Sequence, residues 1–162
     1  MKKLLVVVLI LGFGSSAMAQ TKMIPMIGDS ATYSQTDSTD LTSELVMVIT
    51  GINTATGVIT EDKIIQLNGT SIKEGQYTKT LEDYNEEHEM VLKCNHFNNP
   101  DREQTAILES ITVKAGTFQT CHLKTRNFEI WYGPVPHGFV KEVIKIAGVL
   151  VETLELKTFV KN

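Results

Sequence analysis

The second half of this sequence is a series of β-type segments joined by very short connections. Three of the connections carry Gly or Pro, namely Ala115-Gly116, Gly133-Pro134 and Ala147-Gly148. A parallel crossover needs a dozen residues or more, so strands joined by such short links must run antiparallel to each other. The strands that we predict are residues 106–113, 117–125, 128–132, 138–146 and 149–160.

The first half continues the β pattern with one exception. Residues 45–49 form an apolar, β-branched run, and residues 58–67 alternate with Ile59, Ile65 and Leu67 on one face. Asn68-Gly69 predicts a hairpin, because both residues tolerate the positive φ of a type I′ turn. Residues 79–87 are acidic, with apolar residues at helical spacing, and predict a short helix or a solvated loop. Residues 88–97 alternate again and predict a strand.

Together these patterns predict a mostly all-β fold. We expect a curved antiparallel meander or half-barrel with at most one or two short helices. The sequence contains no internal repeat and no linker that would divide it.

The first nineteen residues have the features of a secretory signal peptide. Lys2 and Lys3 precede an apolar run over residues 4–13, and Ala17-Met18-Ala19 is a small-x-small cleavage site. The alternative is a membrane anchor, but the run is shorter than the roughly 20 residues that span a bilayer. Residue 20 is Gln, whereas a bacterial lipoprotein needs Cys after the cut. We therefore expect a periplasmic or secreted protein cleaved after Ala19, not a lipoprotein, and no transmembrane segment after cleavage.

The predicted mature chain divides into a polar N-terminal arm over residues 20–43 and a single β-domain over residues 44–162. The arm is rich in Ser and Thr, and Ser34 to Asp40 has no periodicity, so we expect a loop or mobile arm there. A single domain of this size can bury a core of its own.

The charge of the chain limits its partners. Loss of Lys2 and Lys3 would take the formal net charge from −4 to −6. Nucleic-acid binding requires a basic face, and docking on anionic lipid through a polybasic patch requires a cluster of lysines and arginines. We expect no nucleic-acid partner and no polybasic docking of this kind.

Cys94 and Cys121 are the two cysteines. In an oxidising compartment we expect them to pair. A disulfide that closes the loop from Cys94 to Cys121 would stabilise the folded state by about 3.6 kcal/mol in the chain-entropy model. Strand parity places both thiols on the apolar side, which also fits two buried free cysteines. The pattern leaves both possibilities open.

The sequence carries no recognisable catalytic or metal-binding motif. There is no G-x-S-x-G nucleophile elbow and no phosphate-binding Gly loop. Cys94-x-His96 would share one face of a strand, but Cys121 and His122 are adjacent and would point to opposite faces. We therefore predict no catalytic residues, no metal site and no cofactor.

Two separated motifs carry a family resemblance. Val113-Lys-Ala-Gly-Thr-Phe118 is followed by Trp131-Tyr-Gly-Pro134 and Gly138-Phe-Val-Lys141. This order resembles an uncharacterised secreted bacterial β-rich family, a domain of unknown function with the motifs V-P-A-G-T-F and W-Y-A-P-G-V-G-L-V-K. Lys114 replaces the family's Pro, and the second turn is one residue longer. The resemblance covers about the last third of the chain and implies a half-barrel similar to that of the periplasmic lipoprotein carriers, without catalytic residues.

These observations lead to three expectations about function. The first is a soluble periplasmic, non-enzymatic binding or accessory protein, with a hydrophobic small molecule or lipid on a concave sheet face. The candidate cavity-lining residues are Trp131, Tyr132 and Phe139, although Trp131 and Tyr132 are adjacent and should face opposite ways. The second is an interaction module that binds another cell-envelope protein. The third is an unrecognised hydrolase.

Overall fold

The computed structural model describes residues 23–162 of the chain. The predicted signal peptide and its cut after Ala19 lie outside these described residues. The strands are β1 (Ser30–Asp37), β2 (Thr42–Asn53), β3 (Val58–Leu67), β4 (Thr70–Thr80), β5 (Thr105–Val113), β6 (Gly116–Lys124), β7 (Phe128–Tyr132), β8 (Phe139–Ile146) and β9 (Val149–Val160). The helix α1 (Leu81–Glu89) and the 3₁₀ helices Cys94–Phe97 and Pro100–Arg102 connect β4 to β5.

All nine strands belong to one antiparallel sheet with the order β4-β3-β2-β1-β9-β8-β7-β6-β5. The sheet consists of two meanders, β1 to β4 and β5 to β9, which meet where β1 pairs with β9. Strands β4 and β5 form the two edges, so the sheet is open rather than a closed barrel. The predicted all-β, antiparallel fold with little helix is confirmed.

Local sequence explains most of the hairpins. Asn68 and Gly69 have φ angles of 50° and 78° and form the predicted turn between β3 and β4. In β2, alternate residues Leu45, Met47 and Ile49 are buried, as the period of two in a strand requires. This alternation fixes which face of the sheet carries the core.

The acidic run predicted either a short helix or a solvated loop, and the structure has the helix, α1. It begins directly after β4 with a capping box, in which Thr80 Oγ1 accepts a hydrogen bond from Asp83 N at 3.0 Å. The Asp83 carboxylate in turn accepts one from Thr80 N at 3.2 Å. These bonds satisfy amide groups that a helix start otherwise leaves open.

The loop predicted over Ser34 to Asp40 is wrong for residues 34–37. They complete β1, which lies between β2 and β9 inside the sheet. Although β1 is polar in sequence, Ala31 and Tyr33 are buried and supply its packed face. Pairing on both sides makes a strand of a segment whose own composition favours a loop.

The strand predicted over residues 88–97 is also wrong. The chain remains helical to Glu89, passes through turns and forms the 3₁₀ helix Cys94–Phe97. Leu92 is 69% exposed while Met90 and Cys94 are buried, so the three do not share one face. The alternation there was coincidental, because short apolar runs do not distinguish a strand from a helical turn.

The disulfide between Cys94 and Cys121 is formed, with 5.4 Å between the two Cα atoms. It joins the Cys94–Phe97 helix to β6, and both residues are buried. The alternative of two free thiols is thereby excluded. Both cysteines are also removed as candidate metal ligands.

The core consists of three buried clusters on the face that carries α1. The largest joins β1, β2 and β9 to the β5–β6 hairpin and the β7–β8 loop. The second packs Met90 and the disulfide against β5, β6 and β7, and the third packs Tyr84 of α1 against Ile49 and Ile59. Among residues 23–162 no helix is both long and apolar enough to cross a membrane.

Candidate functional site

A cleft of about 280 Å³ opens on the helix-bearing face of the sheet. One wall is formed by β3 and β4, the other by β7, β8 and the loop between them, and α1 closes one side. The cleft is lined by Met47, Glu61, Lys63, Tyr77, Thr78, Lys79, Glu87, Ile130, Tyr132, His137, Phe139 and Glu142.

Four charged or polar side chains meet at the inner end of the cleft and form what we call the polar cluster: Glu61, Lys79, Glu87 and His137. Glu61 Oε1 lies 3.0 Å from His137 Nδ1 and 3.2 Å from Lys79 Nζ. Lys79 Nζ also lies 2.9 Å from Glu87 Oε2. The Glu61 and His137 side chains are 6% and 0% exposed, so this is a network within the protein rather than a surface ion pair.

The β7–β8 loop brings His137 into this position. His137 and Gly138 have φ angles of 68° and 78°, and Gly133 N donates to Gly138 O at 2.9 Å across the base of the loop. A Cβ on Gly138 would lie 2.8 Å from Glu87 Cβ, so only Gly lets the loop approach α1 this closely. Residues in turns are usually exposed to solvent, but His137 is buried because the loop folds inward.

Charges around the polar cluster shift carboxyl pKa values in opposite directions. Burial alone would raise the pKa of Glu61, but the hydrogen bond and charge of His137, together with Lys79, outweigh it and hold the pKa below its ordinary value. For Glu87, burial is the dominant cause and raises the pKa despite Lys79. Glu61 is therefore the carboxyl group of the cluster that stays ionised, and Glu87 is the one that is more easily protonated.

His88 links α1 to the same loop. Its Nδ1 lies 2.6 Å from Tyr84 O and its Nε2 lies 2.9 Å from Val135 O. Burial lowers the pKa of His88, against the opposing effect of these two carbonyl groups. A neutral imidazole has a single N–H, so it can donate to one carbonyl at a time.

Two buried polar atoms near the polar cluster have no hydrogen-bond partner within residues 23–162. They are His137 Nε2 and Tyr84 Oη. His137 is 2% exposed as a residue and contributes to the lining of the cleft. A buried polar atom without a partner costs free energy, and such atoms are rare in folded proteins.

Further out, the cleft holds one cation and one anion that do not pair with each other. Lys63 Nζ lies 4.4 Å from the centre of the Tyr77 ring, and neither Lys63 nor Glu142 forms an ion pair within the part of the chain that the structure describes. Burial raises the pKa of Glu142, the charge of Glu152 raises it further, and Lys63 lowers it. Lys63 stands on β3 and Glu142 on β8, so the two charges lie on facing walls.

The three predicted cavity-lining residues are divided between two faces of the sheet. Tyr132 and Phe139 line the cleft. Trp131 stacks on His122 with 4.0 Å between ring centres and donates from Nε1 to Glu109 Oε1 at 2.7 Å. This separation follows the alternation of neighbouring residues in β7, and ligand binding by any of the three stays a prediction.

A second, larger cleft of about 490 Å³ adjoins the first and shares Lys79, Glu87 and Tyr132 with it. Its wall on α1 is acidic, with Asp83, Glu86 and Glu89, and Met90 and Phe97 supply apolar surface. The two clefts together form a continuous groove along α1.

Sequence reasoning missed Glu61 and Lys63, although their signal was present. In the predicted strand 58–67 both residues have the parity of Ile59 and Ile65, which places two charges on the apolar face. Charged residues are rarely buried unless they are paired or functional, so this parity was informative. The partners Lys79 and His137 are distant in sequence and could not be assigned without the fold.

Comparisons with known proteins add information about the fold. No family model and no curated protein matches the chain. A candidate lipoprotein from Parabacteroides distasonis aligns with 83% of this chain and 96% of its own, at 14% identity and a TM-score of 0.52. MucB, solved in complex with MucA(peri), aligns with 83% of this chain, at 12% identity and a TM-score of 0.50.

This chain spans half of the MucB chain. At these identities the likeness shows a shared fold. The two solved structures agree with the β-rich architecture predicted for the resembled family, and membership of that family stays a prediction.

Proposed function

We propose that this chain is a non-enzymatic binding protein of the cell envelope that holds a segment of a partner protein in the cleft. The observation that carries the proposal is the pair Lys63 and Glu142. Each is partly buried on a facing wall of the cleft, and neither has an ion-pair partner within 4 Å among residues 23–162. The charge of Lys63 attracts Glu142 from a greater distance, but it does not offset the burial that raises the pKa of Glu142. Unpaired charges in a partly buried site cost free energy, and a ligand that carries complementary charges would recover it.

The walls between these charges suit a peptide. Tyr77, Tyr132 and Phe139 give aromatic surface that can cover side chains, and aromatic residues are enriched in protein-binding surfaces. The groove continues along the acidic side of α1, which gives an extended segment room to run. MucB was solved in complex with MucA(peri), and this supports the proposal that the shared fold can bind a protein.

A hydrophobic small molecule or lipid is the second candidate. Met47, Ile130, Tyr132 and Phe139 give the cleft an apolar floor that could hold a short aliphatic group. The charged residues around that floor favour the peptide, because a lipid tail offers them no partner. Native mass spectrometry of protein purified from the periplasm tests this candidate, since a retained lipid would add a defined mass.

The partner proposal is tested by affinity capture from envelope extracts with quantitative mass spectrometry. The cleft variant carries Lys63→Met and Glu142→Gln, and the matched control carries Lys114→Met and Glu74→Gln, two exposed positions outside the cleft. We expect a protein that the wild type and the control retain and the cleft variant loses by about tenfold, with the same ranking when the purified partner is titrated by calorimetry. Equal retention by all three proteins would refute the proposal.

A further inference from the structure

The two edges of the sheet differ in how well they are protected from other strands. The pairing of β4 with β3 is interrupted by a register shift next to Gly75, and Lys73 stands beside it. Irregular pairing and lysines are common means by which an edge strand avoids contact with other strands. All nine residues of β5 pair with β6 in unbroken register, and β5 contains no Pro, Lys or Arg. Strand β5 is therefore a regular edge without such protection.

The backbone of β5 offers hydrogen bonds along this edge. Ala106 N donates to Asn98 Oδ1 at 2.7 Å, so the even-numbered residues of β5 direct their N–H and C=O groups away from β6. In the part of the chain that the structure describes, β5 pairs with β6 alone. The residues whose backbone groups face outward beyond Ala106 are Leu108, Ser110 and Thr112, and all three are exposed.

Apolar side chains lie beside these backbone groups on both faces of the sheet. Ile107 and Leu108 are adjacent, so they point to opposite faces, and they are 56% and 50% exposed. A pocket of about 130 Å³ lies against Leu108, and its wall includes Leu92, which is 69% exposed. A side chain on an added strand opposite Leu108 would lie about 5 Å away, within reach of this pocket.

We propose that β5 accepts an extended segment of a partner protein as an additional strand, with an aliphatic side chain of that segment beside Leu108 and Leu92. Free N–H and C=O groups at strand spacing are complementary to another strand, whose main-chain hydrogen bonds give affinity. Pockets for alternate side chains give selectivity. A lipid or another apolar small molecule would cover these backbone groups without bonding to them, which costs free energy.

A second copy of the chain is a poor occupant, because each symmetric pairing through the middle of β5 meets a conflict. A pairing centred on Glu109 places two carboxylates directly opposite each other, which is unfavourable. One centred on Leu108 requires the outward N–H of Ala106, which is already bonded within the chain. One centred on Ser110 places Thr112 opposite Leu108, so the pocket receives a hydroxyl-bearing side chain instead of an aliphatic one.

The edge adjoins the groove along α1, because Lys93 lines both the groove and the pocket against Leu108. A partner segment that leaves the groove would therefore reach β5 directly. Strand addition at β5 and binding in the cleft use separate residues, and either can fail without the other.

The test is titration of the isotope-labelled protein with the peptide acetyl-Thr-Leu-Thr-Leu-Thr-Leu-Thr, extended by two lysines for solubility, with amide hydrogen exchange as the readout. We expect exchange to slow by about tenfold or more at the outward amides of β5 when the peptide is bound. These amides belong to Leu108, Ser110 and Thr112.

Two methylated peptides test the hydrogen bonds without any change to the protein. A leucine opposite Leu108 directs its own N–H towards β5, whereas the threonines direct theirs away. N-methylation of the leucine amides should weaken binding by about tenfold or more, because these amides then cannot donate to the edge. N-methylation of the inner threonine amides should leave the affinity unchanged.

Variants of the protein locate the binding. Leu108→Lys should weaken peptide binding by about tenfold or more, because it removes the aliphatic contact and places a charge at the edge. The matched control is Ile72→Lys, since Ile72 is 56% exposed and lies on the other edge strand, β4. The cleft variant with Lys63→Met and Glu142→Gln should bind the peptide as the wild type does. Each variant is first shown to unfold cooperatively.

Strand addition at β5 is overturned if the wild type binds no peptide at millimolar concentration or if the protected amides lie outside β5. Equal binding of the two methylated peptides would overturn it as well. A dimer of the wild type that Leu108→Lys abolishes would overturn it in favour of a second copy.

Discussion

Glu61 and His137 are 76 residues apart in sequence, and their side chains meet in the interior with 3.0 Å between Oε1 and Nδ1. Because a carboxylate only accepts, His137 donates from Nδ1 in this bond. The bond connects β3 in one meander to the β7–β8 loop in the other. It therefore links the two halves of the sheet on the face that carries the cleft.

Replacing Glu61 with Gln should destabilise the protein by about 2 kcal/mol at neutral pH, since loss of one partner of a buried pair leaves the others uncompensated. The pKa of Glu61 is lowered from 4.5 in the folded state, so its contribution is present above about pH 4.5 and is lost as the pH falls through the folded pKa. Urea unfolding between pH 3 and 7 measures both effects. The two proteins should converge at the acid end, and a constant difference across the range would contradict this account.

Replacing Glu142 with Gln should act in the opposite direction and stabilise the protein by about 1 kcal/mol at neutral pH, because the half-buried carboxylate has no ion pair within residues 23–162. The pKa of Glu142 is raised in the folded protein, so the carboxyl group destabilises the fold only when it ionises as the pH rises through the folded pKa. Thermal unfolding at pH 4 and pH 7 tests this, and the gain should be confined to pH 7. Greater stability together with weaker partner capture is typical of a binding residue.

Gly138 and Gly148 offer a comparison at similar backbone geometry. Their φ angles are 78° and 82°, so Ala at either position costs about 1 kcal/mol or more for the left-handed conformation. Only at Gly138 would the new Cβ also meet Glu87 Cβ at 2.8 Å, and overpacking of this kind adds about 1–3 kcal/mol. Denaturant unfolding should show Gly138→Ala as clearly the more damaging change. Equal losses would mean that the loop can move away from α1 at little cost.

Removal of the disulfide should lower the free energy of unfolding by about 2–4 kcal/mol. The chain-entropy model gives about 3.6 kcal/mol for the loop from Cys94 to Cys121. The paired variant Cys94→Ala with Cys121→Ala isolates the effect from free-thiol chemistry. Unfolding is measured with and without dithiothreitol, and the reductant should destabilise the wild type while leaving the variant unchanged. If the wild type keeps its stability after complete reduction, with the reduction confirmed by counting free thiols, the expected contribution of the disulfide to stability is contradicted.

Much of the fold followed from local patterns. Strands β3, β7 and β9 match the predicted residues 58–67, 128–132 and 149–160, because each combines alternation or β-branched composition with a turn at its ends. The turn at Asn68-Gly69 and helix α1 were also predictable, since each carries its own local signal. The antiparallel arrangement followed from the short connections alone.

The parts that were missed depend on tertiary contacts. Strand β1 is polar and gains its structure from pairing with β2 and β9, and β4 is an edge strand with little apolar surface. Residues 88–97 alternate as a strand does, yet the disulfide and the packing of Met90 hold them in helical turns. The cleft combines residues from both meanders, so parity could indicate Glu61 and Lys63 but not the residues that face them.

The pairing of β1 with β9 has a consequence for how the molecule is assembled. Each meander can form from neighbouring segments, but the two are joined in the sheet only through the last strand. A chain that ends before Val149 would therefore consist of two separate four-stranded pieces, each with an unpaired strand facing the gap. Joining them requires closure of the longest loop in the sheet, which predicts slow folding and makes the arrival of β9 the step at which the cleft comes into existence.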